Sequence, residues 1–345
     1  MSAPRAANRV ASFRRAVFLW LGAILAGSLV LSVMIGSVAL PPLDVLRALL
    51  GGEASDAAST IVWRIRLPRT ILAGVVGACL SLAGLGFQAI SRNPLADPSV
   101  LGVSSGASFG LMVAVLLGIA GPTAGPVIPT VFAFGGALLA AVLVYVIAQV
   151  DGRLPMTTLL LSGVITGFFF TSCVMLATVV LAAAELQGVV FWLMGNLTAV
   201  GSGTLGLLGL VLAIGALVLA YQAPRLNVLA LGEEQALQLG VEAERVKRVV
   251  FVVASLATGA AIAAAGSIGF VGLIVPHAAR LLLGPDNRRL VPTSVVLGAA
   301  FLILADLGAR TLAAPVELPV GVITSFCGAP LFVYLLRRRR GVESW

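Results

Sequence analysis

Charge is what this sequence lacks most. Only 10% of its 345 residues are Asp, Glu, Lys or Arg, against about 25% in a soluble domain whose surface water must hydrate. With 59% hydrophobic residues and 39 glycines, most of its surface must face lipid, which excludes soluble, fibrous, disordered and secreted disulfide-stapled classes. Cysteine is scarce too: Cys79, Cys173 and Cys327 lie far apart in apolar segments, with neither a disulfide framework nor the spacing of a metal site, and read as small packing residues. The single histidine, His277, follows Pro276 with no Cys, Asp or Glu at ligand or triad spacing. It reads as structural, so neither a catalytic nor a metal site is expected. The single lysine, Lys247, stands between Val246 and Arg248. A phosphate-binding loop needs a glycine-rich turn ending in Lys and then Ser or Thr, so the chain does not bind ATP in that way.

What is present is a series of apolar segments. A hydrocarbon core of about 30 Å takes roughly 20 residues per helix, and charged, Pro-rich and Gly-rich interruptions divide the chain into about ten spans. They are expected at 16–39, 69–90, 99–118, 126–149, 157–183, 203–222, 248–265, 268–283, 291–313 and 318–336. The eighth is short and holds Pro276, and Gln187 to Leu197 is too brief to cross, so it reads as a half-helix at the surface. The first run, Phe18 to Leu40, follows Arg5, Arg9, Arg14 and Arg15 and exceeds a signal-peptide core, so it reads as a retained helix. An even number of spans puts both termini on one side. Cytoplasmic termini place all 22 basic residues inside except Arg47, Arg64, Arg66, Arg69 and Arg310, as the positive-inside rule requires. The net charge of +8 therefore reflects topology, not nucleic-acid binding. No soluble domain or long linker is evident.

Helices in lipid associate through close backbone approach at small residues. Gly102, Gly106 and Gly110 form one such stripe, and Ala73, Gly77 and Ser81 another; both read as packing seams. Asp306 is the one clear acid at depth, four residues before Arg310, a spacing that suits an intrahelical pair, with a proton relay as the alternative. Two stretches resemble docking features. GEEQALQLG, Gly232 to Gly240, lies in the longest cytoplasmic loop, 223–247, and reads as a short helix: Gly232 at its N-cap, Glu233 and Glu234 in its first turn, Gly240 at its end. Two isolated turns are unstable in water, so this helix docks either on its own bundle or on a partner. On the opposite side WRIRLPR sets Arg64, Arg66 and Arg69 around Pro68 at a helix start, where cations oppose the dipole and require an acidic neighbour. Lipid phosphates, Glu53 and Asp56 of the same loop, or an acidic protein docked from outside would all serve.

From Arg64 to Arg337 the chain resembles the permease subunits of binding-protein-dependent ABC importers for vitamin B12, iron-siderophores and haem. The motifs are RLPR at 66–69, RNPLADPSVLGVSSGA at 92–107, LALGEEQALQLGV at 229–241, GSIGFVGLIVPHAARLLLG at 266–284 and ELPVGVITSFCGAP at 317–330, five markers in the family's order. The resemblance implies an all-α polytopic permease of about ten transmembrane helices like that of the vitamin B12 importer, forming one transmembrane domain over 1–345. A cytoplasmic tail would cover 1–15 and a basic cytoplasmic tail 337–345. It implies a homodimer in the bacterial inner membrane, two cytosolic ATPase subunits below that carry ATP and Mg, one binding protein above, and no cofactor on this chain.

By the same resemblance the loop 223–247 carries the coupling helix, Leu231, Gly232, Glu233, Glu234, Gln235, Ala236, Leu237, Leu239 and Gly240. Arg66, Arg69 and Arg310 would receive acidic residues of the binding protein, and Asp306 would orient Arg310. The inner gate would fall at Asn93 and Leu95 and at Pro155, Met156 and Thr157, where the second stretch departs from the Ser and Thr pattern of the B12 branch. The expected cargo is an iron chelate, with cobalamin as the alternative. An ion-coupled secondary transporter and a membrane-embedded enzyme or channel are the rival readings.

Overall fold

The computed structural model describes residues 3–52, 55–120, 125, 127–197 and 201–339, giving the backbone alone for 3–15, 183–184 and 334–339. Arg5, Arg9, Arg14, Arg15, Glu53 and Arg337 to Arg340 therefore have no described side chains. In chain order the helices are α1 (Ala3–Met34), α2 (Pro42–Leu50), α3 (Asp56–Thr60), a π-helical stretch Ile61–Arg66, α4 (Leu67–Ser91), α5 (Val103–Leu116), α6 (Val127–Ala148), α7 (Met156–Thr178), α8 (Ala183–Leu193), α9 (Ser202–Leu229), α10 (Glu233–Gln238), α11 (Ala243–Ala265), α12 (Val271–Leu283), α13 (Asn287–Thr311) and α14 (Val320–Arg339). Among the described residues seven segments are long and apolar enough to cross a membrane, and three shorter apolar helices, Val103–Leu116, Val271–Leu283 and Val320–Val333, stand where the other three spans are expected.

The bundle is organised around α4, which packs against α9, α11, α12 and α13. Small residues permit this. A methyl group on Gly77 would strike the backbone of Gly298 on α13, and one on Gly84 would strike Gly272 at the start of α12, so these axes approach as closely as backbones allow. The α5–α6 seam works in the same way: a Cβ on Gly106 would lie 2.5 Å from the Gly136 carbonyl, and Gly110 abuts Phe132 and Gly136. Gly102 departs from the expected stripe. It has φ +72°, precedes α5 and faces Gly163 and Gly167 of α7, so the three glycines serve two different contacts.

Several expected boundaries are corrected. Helix α1 extends through the anticipated tail as far back as Ala3 and stops at Met34. The loop 223–247 shrinks because α9 runs on past Pro224 to Leu229 and α11 begins at Ala243. The segment before Pro68 is not a helix start, since α3, the π-helical stretch and α4 form one continuous run over Asp56–Ser91. The wider π turn, closed by the Leu67 N–H on the Val62 carbonyl, sits immediately before a proline that has no N–H to give. Arg64, Arg66 and Arg69 thus lie within a helix, and the expected dipole penalty does not arise.

Two short outer elements, α2 and α3, were not anticipated. Val45, Ala48 and Val62 close a small cluster with Val33 of α1, and Trp63 donates its indole N–H to the Ala48 carbonyl at 2.9 Å. Helix α8 stands where the half-helix is expected but begins earlier, and it is not wholly at the surface: Val189 within it and Leu197 beyond it are buried. Asn196 N–H donates to Ala265 O at 2.8 Å, and Val320 N–H to Gly195 O at 3.1 Å. Three helix ends are therefore joined by main chain, with Gly195, Gly266 and Gly321 so close that a side chain on any of them would meet backbone.

Candidate functional site

Two polar clusters occupy opposite ends of the bundle. The first is centred on Asp306 of α13, which is 0% exposed. Its Oδ1 receives Arg69 Nε at 2.9 Å, and its Oδ2 pairs with Arg310 Nε at 2.9 Å. Arg310 Nη2 donates to Ser32 Oγ of α1 at 2.7 Å, and Ser32 is 2.7 Å from Thr70 Oγ1. Arg69 Nη1 turns outward to Glu317 Oε2 at 2.6 Å, and Glu317 is the half-exposed member. One fully buried carboxylate thus serves two guanidiniums, an arrangement tolerable in low dielectric only because every charge is paired.

The expected intrahelical pair of Asp306 with Arg310 is present, and Arg69 joins it. Among the described residues the acids paired with Arg69 are Asp306 and Glu317, not Asp56, and Glu53 lies outside the described residues. Arg66 plays a different part. Its Nη1 donates to the carbonyls of Val33 (2.8 Å) and Met34 (2.9 Å) and its Nη2 to Val38 O at 2.6 Å. The first two are carbonyls that the C-terminus of α1 leaves unpaired, and a cation there also suits the dipole; Val38 lies in the segment that follows. The expectation of three outward arginines is therefore revised: Arg66, Arg69 and Arg310 are all buried, while Arg64 of the same motif is exposed.

The second cluster surrounds α10. Gly232 precedes it with φ +125°, and Glu233 and Glu234 occupy its first turn. Its end is a full Schellman stop: Gly240 N–H bonds Leu237 O at 3.0 Å, Val241 N–H bonds Ala236 O at 2.8 Å, and Gly240 has φ +75°. Ala236 is buried and Glu233 half-buried, while Leu231 (65%), Leu237 (70%) and Leu239 (61%) are exposed. Docking on its own bundle thus uses the Ala236 methyl group and the Glu233 carboxylate and leaves three leucines without cover. Glu234 and Gln235 are exposed as well.

Glu233 points the other way. Its Oε1 pairs with Lys247 Nζ at 2.8 Å and with Arg92 at 3.8 Å. Of the expected gate residues, Asn93, Pro155 and Thr157 are exposed and Leu95 and Met156 half-buried. Asn93 Oδ1 accepts the Leu95 N–H at 2.9 Å, holding that turn, and Pro155 is the N-cap of α7. What the structure draws together is the residue before each stretch: Arg92 on Glu233, and Leu154 on Lys247 and its neighbour Glu244. Its sequence context marks Lys247 as one more cytoplasmic basic residue that forms no phosphate loop. The available signal was the chain's one lysine three residues after an acid on a helix.

Beside this cluster Asp286 caps α13 and ties it to α9, accepting Asn227 Nδ2 at 2.7 Å. Burial pushes its carboxyl up, but the Asn227 amide, the Arg288 N–H and the charges of Arg289 and Arg288 outweigh that and hold it below the usual carboxylate range.

Comparison with known proteins follows the same lines. The FecCD transport family matches residues 24–338. An uncharacterised ABC transporter permease protein of Bacillus subtilis, YvrB, is 41% identical over 97% of this chain and 98% of its own. The cobalamin import system permease protein BtuC of Halobacterium salinarum is 46% identical over 82% of this chain and 75% of its own. The hemin transport system permease protein HmuU of Yersinia pestis is 36% identical over 86% and 89%. A solved structure described as an inward-facing conformation of a metal-chelate type ABC transporter superposes with a TM-score of 0.82 at 29% identity, covering 94% of this chain and 99% of that one.

Proposed function

The chain belongs to the FecCD transport family and is a multi-pass membrane permease of the ABC importer class; from this premise we propose that it carries a large metal chelate across the cytoplasmic membrane as one half of a homodimer. Two cytosolic ATPase subunits power it and bind the ATP and Mg, one extracytoplasmic binding protein delivers cargo, and this chain holds no cofactor. The observation that carries the reading is α10, a capped two-turn helix with Leu231, Leu237 and Leu239 exposed. So short a helix is not stable for its own sake, and its apolar face requires a partner.

At the opposite end the binding protein meets the Arg69–Glu317 rim, and Arg310 and Arg66 support it from within. Asn93, Leu95, Pro155, Met156 and Thr157 form the inner gate, closing it with bulky groups that exclude water. An iron chelate, siderophore or haem, is the first reading of the cargo, since relatives include permeases for iron chelatin, iron(3+)-hydroxamate and hemin. Cobalamin is the second, favoured by the 46% identity with a cobalamin permease. Reconstitution of the permease with its ATPase and binding protein in vesicles, supplied in turn with haem, ferric siderophores and cobalamin, tests the proposal. ATP-dependent accumulation of one of them is expected; uphill uptake by the permease alone would overturn it.

A further inference from the structure

We infer that Lys247 is a positioning residue that couples α10 to the start of α7, so that a displacement of the docking helix is delivered to the inner gate. The inference rests on the transport reading above. Lys247 is only 2% exposed, and its ammonium joins three separate elements. It pairs with Glu233 Oε1 of α10 at 2.8 Å and with Glu244 Oε1 of its own helix α11 at 2.8 Å. It also reaches the carbonyl of Leu154, in the loop before α7, at 3.5 Å. Glu244 completes the grip, since its Oε2 accepts the Leu154 N–H at 2.7 Å. Both main-chain polar groups of Leu154 are therefore held by one ion pair, and its side chain is buried in the core. The next residue, Pro155, caps α7.

An ammonium only 2% exposed cannot let go of its carboxylates cheaply, because it would be left with its charge uncompensated. If α10 shifts under a partner's pull, Glu233 draws Lys247 with it, and Lys247 and Glu244 draw Leu154. Arg92, 3.8 Å from the same Glu233 oxygen, extends the link to the turn carrying Asn93 and Leu95. The ion pair to Arg92 joins two half-exposed side chains and is weak; the one through Lys247, whose ammonium is 2% exposed, is the stiffer member.

The test uses the reconstituted complex with Lys247→Met, which keeps the length of the side chain and removes its charge. ATP hydrolysis is expected to stay close to wild type while cargo accumulated per ATP falls about tenfold, within the range that coupling residues reach. Spin labels at the exposed positions Gln238 and Arg153 read the link directly. Their separation is expected to stay constant between nucleotide-free and ATP-bound wild type and to differ between the two states in the variant. If Lys247→Met fails to accumulate in the membrane, Glu233→Gln, a half-exposed change, carries the same distance measurement. A variant with wild-type yield per ATP, or with a constant label separation, refutes the inference and leaves the transport reading standing. A wild-type complex that shows no ATP-driven uptake refutes both.

Discussion

Replacing Asp306 by asparagine removes the only charge that two buried guanidiniums share. Each pair, at 2.9 Å between N and O, corresponds to roughly 6 kcal/mol of gross attraction at an effective dielectric near 20, before desolvation is subtracted. The two arginines are not equally exposed to the loss. Arg69 retains Glu317 at 2.6 Å, whereas Arg310, among the described residues, retains hydrogen bonds to Ser32 and a main-chain carbonyl but no carboxylate in direct contact. Stranding one buried cation typically costs about 3–5 kcal/mol, and that is the destabilisation expected for Asp306→Asn, read from equilibrium unfolding in mixed micelles. Glu317→Gln, at the half-exposed rim, should cost no more than about 1 kcal/mol. The double variant Asp306→Leu with Arg310→Met removes the stranded charge and should recover most of the loss. A cost below about 1 kcal/mol for Asp306→Asn, or an equal cost for Glu317→Gln, would refute the account of a buried pair as the keystone of this cluster.

Other perturbations separate the remaining features. Leu237→Asp should leave the subunit folded, because that side chain is 70% exposed, yet abolish co-purification with the ATPase. Gly106→Val should prevent close approach of α5 and α6 and reduce folded yield severely, whereas Gly209→Val, with nothing within 4 Å of an added Cβ, should be silent in the same fluorescence-detected chromatography. Arg66→Met should cost about 1.5–3 kcal/mol for the charged hydrogen bonds lost and speed amide exchange around Val38. Asp286, held low in the folded state, contributes stability above its unfolded value of about 3.9; that contribution is lost as pH falls through the lower folded value. The stability gap between wild type and Asp286→Asn should therefore be constant above about pH 4 and narrow in stronger acid, as unfolding titrations at stepped pH would record.

The spans were legible because lipid imposes a simple rule: backbone groups must pair within each helix and apolar side chains must cover it. That rule says little about interruptions. Pro68 reads as a helix start from local chemistry, but the π turn over Ile61–Arg66 absorbs it and the helix continues. Likewise Pro224 lies inside α9. The α2 helix had readable signals, Pro42 at its first position, Asp44 in its first turn and inward Val45 and Ala48, which the hydropathy pattern overshadowed. At the outer cluster the i,i+4 relation of Asp306 and Arg310 was visible, while the arrival of Arg69 and Glu317 from elsewhere in the chain depends on tertiary packing that spacing does not encode. The α10 turn was readable from its glycines and acids, but the inward role of Glu233 required knowing where the side chain of Lys247 ends.

The junction of Asn196 with Ala265 and of Gly195 with Val320 is written in peptide groups. Apart from the glycines that permit the approach, side-chain identity has no part in those bonds, so neighbouring walls such as Met194, Ser325 and Phe326, which border a cavity of about 590 Å³ beside it, can be recast in size and polarity without loosening the scaffold that carries them. A frame whose joinery is indifferent to its upholstery suits a lineage whose members bear names as unlike as hemin and cobalamin.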